Sequence, residues 1–149
     1  MAITAFLYDN FPLNAFSKKI NDMSSADTLI KVALYASTYT PDQASHTSWN
    51  DFDAASNEVT GAGYTAGGVA LTSKTLTAAT RVTIFNALKA AWANTTLSAD
   101  GAIIYDATPA GDTDKKLIAC IAFGQTYTTS GTPFELLFDL SGVFGFTVA

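Results

Sequence analysis

The chain has 149 residues, of which 48% are hydrophobic and 14% are charged, and its 13 acidic and 8 basic residues give a net charge of −5. This length predicts one domain over residues 1–149, and the balance excludes a disordered chain, which needs few apolar and many charged residues. Nucleic-acid binding is not expected either, because eight scattered cations do not form the basic face that it requires.

Threonine and glycine, with 21 and 10 residues, far outnumber the two glutamates. β-branched threonine favours pleated, half-exposed surfaces, whereas long helices draw heavily on glutamate and lysine. We therefore predict a mainly β protein, folded as an antiparallel β-sandwich or barrel-like single domain with little helix. The predicted strands, in chain order, are residues 2–8, 28–35, 69–77, 101–105, 117–123, 134–140 and 143–148.

The patterns of these strands predict which faces are buried. Ile30, Val32 and Leu34 share one face of the second strand. Residues 101–105 and 117–123 are continuous apolar runs, which are typical of strands buried on both faces. In the strand 134–140, alternation points four side chains inward, those of Phe134, Leu136, Phe138 and Leu140, and two outward, those of Glu135 and Asp139.

Other segments predict helix or turn. Residues 11–20 can contain a helical turn. Residues 78–93 stay open, because apolar residues at helical spacing compete with strand-like alternation in residues 81–85. Turn chemistry marks residues 40–42, 110–112 and 130–133.

A glycine-rich stretch at residues 61–68 has the offsets of the dinucleotide fingerprint at Gly61, Gly63 and Ala66. A pyrophosphate site also needs a strand before the glycines and a helix after them, and the flanking residues predict neither. We therefore expect a tight glycine turn whose Tyr64 packs on the core or on a neighbouring molecule.

Metal binding is not predicted. His46 lies in a polar loop with Asp42, Asp51 and Asp53, but this loop lacks the ligand spacing and the glycine turn of a calcium site. A solvated histidine with ordinary carboxylate neighbours explains the pattern. No metal and no cofactor is therefore expected.

Catalytic residues are equally scarce. Cys120 sits in an apolar run that predicts a buried, inert thiol. Glu58 and Glu135 are the only glutamate pair available for glycoside hydrolysis, and aspartates can serve in their place. We assign no catalytic residue.

Neither a membrane segment nor a leader is predicted. Residues 1–10 lack the basic region of a signal peptide. The apolar tract 136–148 is interrupted by Asp139 and by two glycines, and it is shorter than the roughly 20 residues that a spanning helix needs. We expect synthesis in a reducing compartment.

Aromatic residues crowd the N-terminal end of this charge-poor chain. Such ends dock either on the body of their own domain or on another subunit, since exposed apolar patches are uncommon. Both alternatives stay open here. The candidate interface residues are Phe6, Tyr8, Phe11 and Phe16, together with Tyr64 in the glycine turn.

Several segments carry a family resemblance. They are residues 25–34, 39–43, 57–68, 92–94, 102–106, 121–124 and 134–146. The most distinctive string is Asn-Glu-Val-Thr-Gly-Ala-Gly-Tyr-Thr-Ala-Gly-Gly at 57–68. Together they resemble, over most of the chain, small virion proteins of tailed bacteriophages, some of which are similar to head decoration (cement) proteins.

This resemblance implies a non-enzymatic protein, made in the host cytoplasm, that binds the major capsid protein on the outside of a phage head. It would stabilise the shell at junctions between coat subunits, as a homotrimer at local three-fold positions. The resemblance also favours a strand for residues 81–85. We expect residues 2–16 to be the first docking segment, removable without unfolding the rest, and the loop around Tyr64 to be the second.

Two other functions remain open. One is a phage tail or fibre component that binds host glycans through exposed rings of Tyr39 and Trp49, since aromatic faces suit sugars. The other is a hydrolase that uses a pair of Asp or Glu side chains.

Overall fold

The computed structural model describes residues 2–53, 56–139 and 141–147. These residues form eight strands and two short helices. The elements, in chain order, are β1 (Thr4–Leu7), α1 (Phe11–Phe16), β2 (Ile30–Tyr35), α2 (Trp49–Asp53), β3 (Val69–Ala70), β4 (Thr75–Ala79), β5 (Val82–Asn86), β6 (Ala90–Asp106), β7 (Leu117–Leu136) and β8 (Phe144–Thr147).

Two antiparallel sheets make up the fold. The larger has five strands in the order β1-β7-β6-β2-β3, and the smaller has three in the order β4-β5-β8. The long hairpin of β6 and β7 forms the middle of the large sheet, with β2 on one side and β1 on the other. The prediction of a mainly β, sandwich-like architecture is confirmed.

The centre of the large sheet is buried on both faces. Ile30, Val32 and Leu34 of β2 enter one apolar cluster, which also contains Phe11 of α1 and Phe85 of the small sheet. The alternate residues of β2 enter a second cluster on the opposite face, which α2 covers. That cluster contains Ala33, Tyr35, Trp49, Phe52, Ile103, Tyr105 and Cys120. Full burial of one such aliphatic or aromatic side chain contributes about 1.5–3 kcal/mol, so both layers stabilise the sheet.

Several predicted elements are confirmed with adjusted bounds. The helical turn expected in residues 11–20 is α1, and residues 81–85 lie almost entirely in β5, so the strand prevails over the helix there. The predicted strand 69–77 is instead divided between β3 and β4, in different sheets. The charged tip at 110–112 connects β6 to β7, where Lys115 pairs with Asp112 at 2.7 Å.

The predicted turn at residues 130–133 is wrong, because these residues lie within β7. The β6–β7 pairing accommodates their glycine and proline because it is irregular here. Gly131 has a φ of +65°, and the register with β6 shifts between Trp92 and Thr96. The strand predicted at 134–140 accordingly ends at Leu136. Leu140 and Val148, predicted as strand residues, lie outside the described residues.

Helix α1 begins and ends for local reasons. Pro12 occupies its first turn, where a missing N–H removes no intrahelical hydrogen bond. Lys18 adopts a left-handed φ of +56° just beyond Ser17, which stops the helix. Among the described residues, no helix is long and apolar enough to cross a membrane.

Candidate functional site

The four N-terminal aromatic residues have different environments. Tyr8 and Phe11 are 0% and 2% exposed and belong to the two core clusters. Phe6 is partly buried against the second cluster. Phe16, at 89%, is the most exposed of the large apolar side chains in the described part of the chain. For Tyr8 and Phe11 the structure therefore supports the alternative in which the rings complete the domain's own core.

The segment that carries these residues is built into the sheet. β1 pairs with β7 from Thr4, opposite Ala122, to Leu7, opposite Ala119. The Tyr8 N–H then donates to the carbonyl of Ile118 at 3.1 Å. This arrangement argues against the expectation that residues 2–16 can be removed without unfolding the rest.

The end of α1 forms an exposed tip. Leu13 and Phe16 point outward, while Phe11 and Asn14 are buried on the opposite side of the helix. Lys18 and Lys19 follow immediately and are also exposed. The tip thus joins an aromatic ring to two positive charges in a protein whose net charge is −5.

Tyr64 lies in a glycine turn and packs on the core, as predicted. Its ring stacks on Trp92 at 5.9 Å between centroids. Its hydroxyl donates to Oε1 of Glu58 at 2.6 Å and accepts from the N–H of Leu34 at 3.0 Å. Burial, followed by the bond to the Glu58 carboxylate, raises the pKa of Tyr64. The residue ties the turn to β2 and is not free to leave the core.

The glycines of this turn are explained by close approach of the backbone. Gly68 has a φ of +68°, and a Cβ there would overlap the carbonyl of Val32. Gly63 has a φ of +77°, and a Cβ there would lie 2.6 Å from the carbonyl oxygen of Asn94. Strand β3 follows the turn, so no helix N-terminus faces the glycines. The fingerprint offsets therefore serve packing and not phosphate binding.

A polar cavity of about 320 Å³ opens beside this turn. Burial raises the pKa of both Asp53 and Glu58, the pattern expected of an acid–base pair. The Glu58 carboxylate is already engaged, however, because it accepts from the Tyr64 hydroxyl and from the N–H of Gly67. The Trp49 indole lowers the pKa of Asp53 and so partly opposes the effect of burial. The cavity is also lined by Lys31, Tyr105 and Lys115.

The glutamate pair considered from the sequence is separated in the structure. Glu58 lines the polar cavity, whereas Glu135 lines a different groove and pairs with Lys89 at 2.5 Å. The carboxylate that accompanies Glu58 is instead Asp53. This pairing has no signal in the sequence, because it depends on how residues 56–68 fold back over β2.

A buried polar network lies within the second cluster, on the face of the large sheet that α2 covers. The Tyr8 and Tyr39 hydroxyls lie 2.9 Å apart, and Tyr39 is also 2.9 Å from Nδ1 of His46. Cys120 is buried, as predicted, and burial raises the pKa of its thiol to about 12.

The residues proposed for glycan binding are also part of this layer. Tyr39 and Trp49 are each only 6% exposed, so neither presents an open ring face.

Asp42 and Asp51 accept hydrogen bonds from nearby backbone N–H groups and so close local turns. No group of three potential metal ligands occurs within residues 2–53, 56–139 and 141–147.

An apolar groove of about 300 Å³ runs beside β7, in a region where the sequence predicted a turn. β1 begins opposite Ala122, and from Phe123 onward no strand in the described part of the chain pairs with this edge of β7. Residues 123–134 along that edge carry no charge. The groove is lined mainly by Ile3, Phe123, Tyr127, Pro133, Phe134 and Leu136.

The chain matches no protein-family model, and no curated protein or solved structure shows significant similarity to it.

Proposed function

We propose that the protein is a structural virion protein of the decoration type, which binds the outside of a phage head and stabilises the shell without catalysing a reaction. The resemblance of its sequence segments to such proteins supports this function, and a mainly β, sandwich-like domain suits it. Its partners in this proposal are the major capsid protein and further copies of itself, as a homotrimer.

The single observation that carries the proposal is the apolar surface that the domain leaves open. Phe16 is 89% exposed, Ile3 61% and Leu137 71%, although the same chain buries two complete apolar layers. Burying such surface between coat subunits contributes on the order of 25 cal/mol per Å², less the ordering costs. Linked copies add avidity, so a modest contact per copy is sufficient to hold the shell.

The copy number in purified particles tests this function directly. Quantitative gel staining should give a copy number comparable to that of the coat protein. Particles that lack the protein should release DNA at a lower temperature, and adding the purified protein should restore the wild-type value. A few copies per particle would indicate a tail or fibre component, and absence from the particle would reject a virion role.

A further inference from the structure

We propose that the protein associates with itself head to tail, with Phe16 of one copy seated in the apolar groove beside β7 of the next copy. This inference deepens the self-association in the proposed function by naming the two surfaces that meet. It concerns the isolated protein, so its test does not depend on binding to a phage head.

The inserting side chain is Phe16. It projects from the last turn of α1 and is 89% exposed, so it makes little contact with its own domain. The left-handed φ of +56° at Lys18 turns the chain away directly after the helix, which leaves the ring at a protruding point. Aromatic side chains at such points are enriched among the residues that dominate interface energies.

The receiving surface has matching size and polarity. Its volume of about 300 Å³ lies at the lower end of the roughly 300–1,000 Å³ typical of ligand pockets, enough for one aromatic side chain. Phe123, Phe134 and Leu136 provide apolar contacts, and Tyr127, 43% exposed, offers a ring edge or face. Phe16 does not line the groove of its own chain.

Charge favours a second copy as the occupant. The groove carries one charged residue, Glu135, and the tip beside Phe16 carries two exposed cations, Lys18 and Lys19. Glu135 already pairs with Lys89, but both side chains are well exposed, at 39% and 50%. Such surface ion pairs contribute only about 0–1 kcal/mol to stability. Glu135 can therefore give up Lys89 and pair with a lysine of the incoming copy at little cost in free energy. Elsewhere, two chains of net charge −5 repel each other.

In this proposal the tip and the groove of one copy engage two different neighbours, so the contact is heterologous. Each copy then offers one tip and one groove, and successive copies close into a ring or form an open filament. Closure after three copies gives the trimer of the proposed function.

Sedimentation velocity over a range of protein concentrations provides the test. The wild-type chain should sediment as an oligomer, and Phe16→Ala should raise the dissociation constant at least about tenfold. Ile3→Trp, which fills the groove from an exposed position, should do the same. The matched controls are Leu88→Ala, another exposed apolar side chain, and Ser98→Trp, at an exposed position that does not line the groove; both should associate normally.

Mixing the two defective variants gives the sharpest result. Phe16→Ala keeps an intact groove and Ile3→Trp keeps an intact tip, so together they form one complete contact per pair. A heterodimer that grows no further is therefore expected at concentrations where each variant alone stays dissociated.

Three results would overturn the inference: a wild-type chain that is monomeric at every concentration, Phe16→Ala that associates like the wild type, or variants that fail to combine. Circular dichroism and urea unfolding establish that each variant is folded. If Phe16→Ala reduces binding to phage heads but not self-association, the tip contacts the coat protein and this inference fails, while the proposed function stands.

Discussion

At the scale of single residues, Glu58 connects the glycine turn to the core. Its Oε1 accepts from the Tyr64 hydroxyl at 2.6 Å and from the Gly67 N–H at 2.7 Å. Burial raises the pKa of Glu58, and the nearby Asp53 raises it further. The two hydrogen bonds and the positive charge of Lys31 lower this pKa but do not cancel the rise. One oxygen of this residue therefore accepts two hydrogen bonds, and the carboxylate charge is partly desolvated.

Two substitutions separate these effects. Glu58→Ala removes the acceptor of both bonds and should lower the free energy of unfolding by about 1–3 kcal/mol, since a buried donor loses its partner. Glu58→Gln keeps an acceptor and removes the charge. Because the folded pKa of Glu58 is raised, the contribution of this side chain to wild-type stability declines as pH rises above the unfolded value of 4.5. Glu58→Gln should therefore gain stability relative to the wild type between acidic pH and pH 7.

Urea unfolding of the three proteins at both pH values measures these differences. The difference in stability between Glu58→Gln and the wild type should change with pH. If it is the same at acidic pH and at pH 7, the role of the buried charge is contradicted. The sequence predicted that Tyr64 packs on the core or on a neighbouring molecule, and the structure shows the core. Its partner Glu58 was beyond prediction, because that contact requires the closed shape of the turn.

At the scale of elements, β1 and α1 illustrate how a terminal segment becomes part of the core. Four residues of β1 extend the sheet, and Tyr8 and Phe11 then fill clusters on its two faces. Truncating one buried Phe to Ala costs about 3–5 kcal/mol, and domains have only about 5–15 kcal/mol of stability.

Deletion of residues 2–16 should therefore abolish the cooperative unfolding transition and the near-ultraviolet circular dichroism of the packed aromatic rings. Phe16→Ala is the control, and its unfolding free energy should stay within about 0.5 kcal/mol of the wild type because the ring is exposed. A deletion variant with a wild-type urea midpoint would show that the segment is dispensable after all.

The strands illustrate where sequence patterns succeed and fail. Alternation in 28–35 and continuous apolar runs in 101–105 and 117–123 predicted the strands that form the buried centre of the large sheet. The outer half of β7 was missed because its Ser-Gly-Thr-Pro sequence is typical of a turn. A neighbouring strand decides the outcome: Phe134 pairs with Trp92 of β6, and that partner cannot be identified from local sequence.

At the scale of the whole molecule, the two sheets differ in how deeply they are buried. β2 and the inner ends of β6 and β7 are covered on both faces, whereas every residue of β4 is exposed. Composition predicted the mainly β class, but the order of strands was beyond prediction, because neither sheet is assembled from strands in simple succession.

Native-state hydrogen exchange should reproduce this difference. Amides of residues 30–35, 101–106 and 117–122 should exchange only by global unfolding, and those of Thr75–Ala79 should exchange through local opening. Mass spectrometry of peptides from the exchanged protein resolves the two groups. Equal protection of both sheets would contradict a deeply buried centre.

The pairing of β1 with β7 also determines the order in which the sheet can be completed during synthesis. The ribosome makes residues 4–7 long before their partners, Ala119–Ala122. β2 and β6 can pair in the meantime, but β1 stays unpaired until β7 has been made. Such distant pairings form slowly, so β1 is among the last strands to reach its final place.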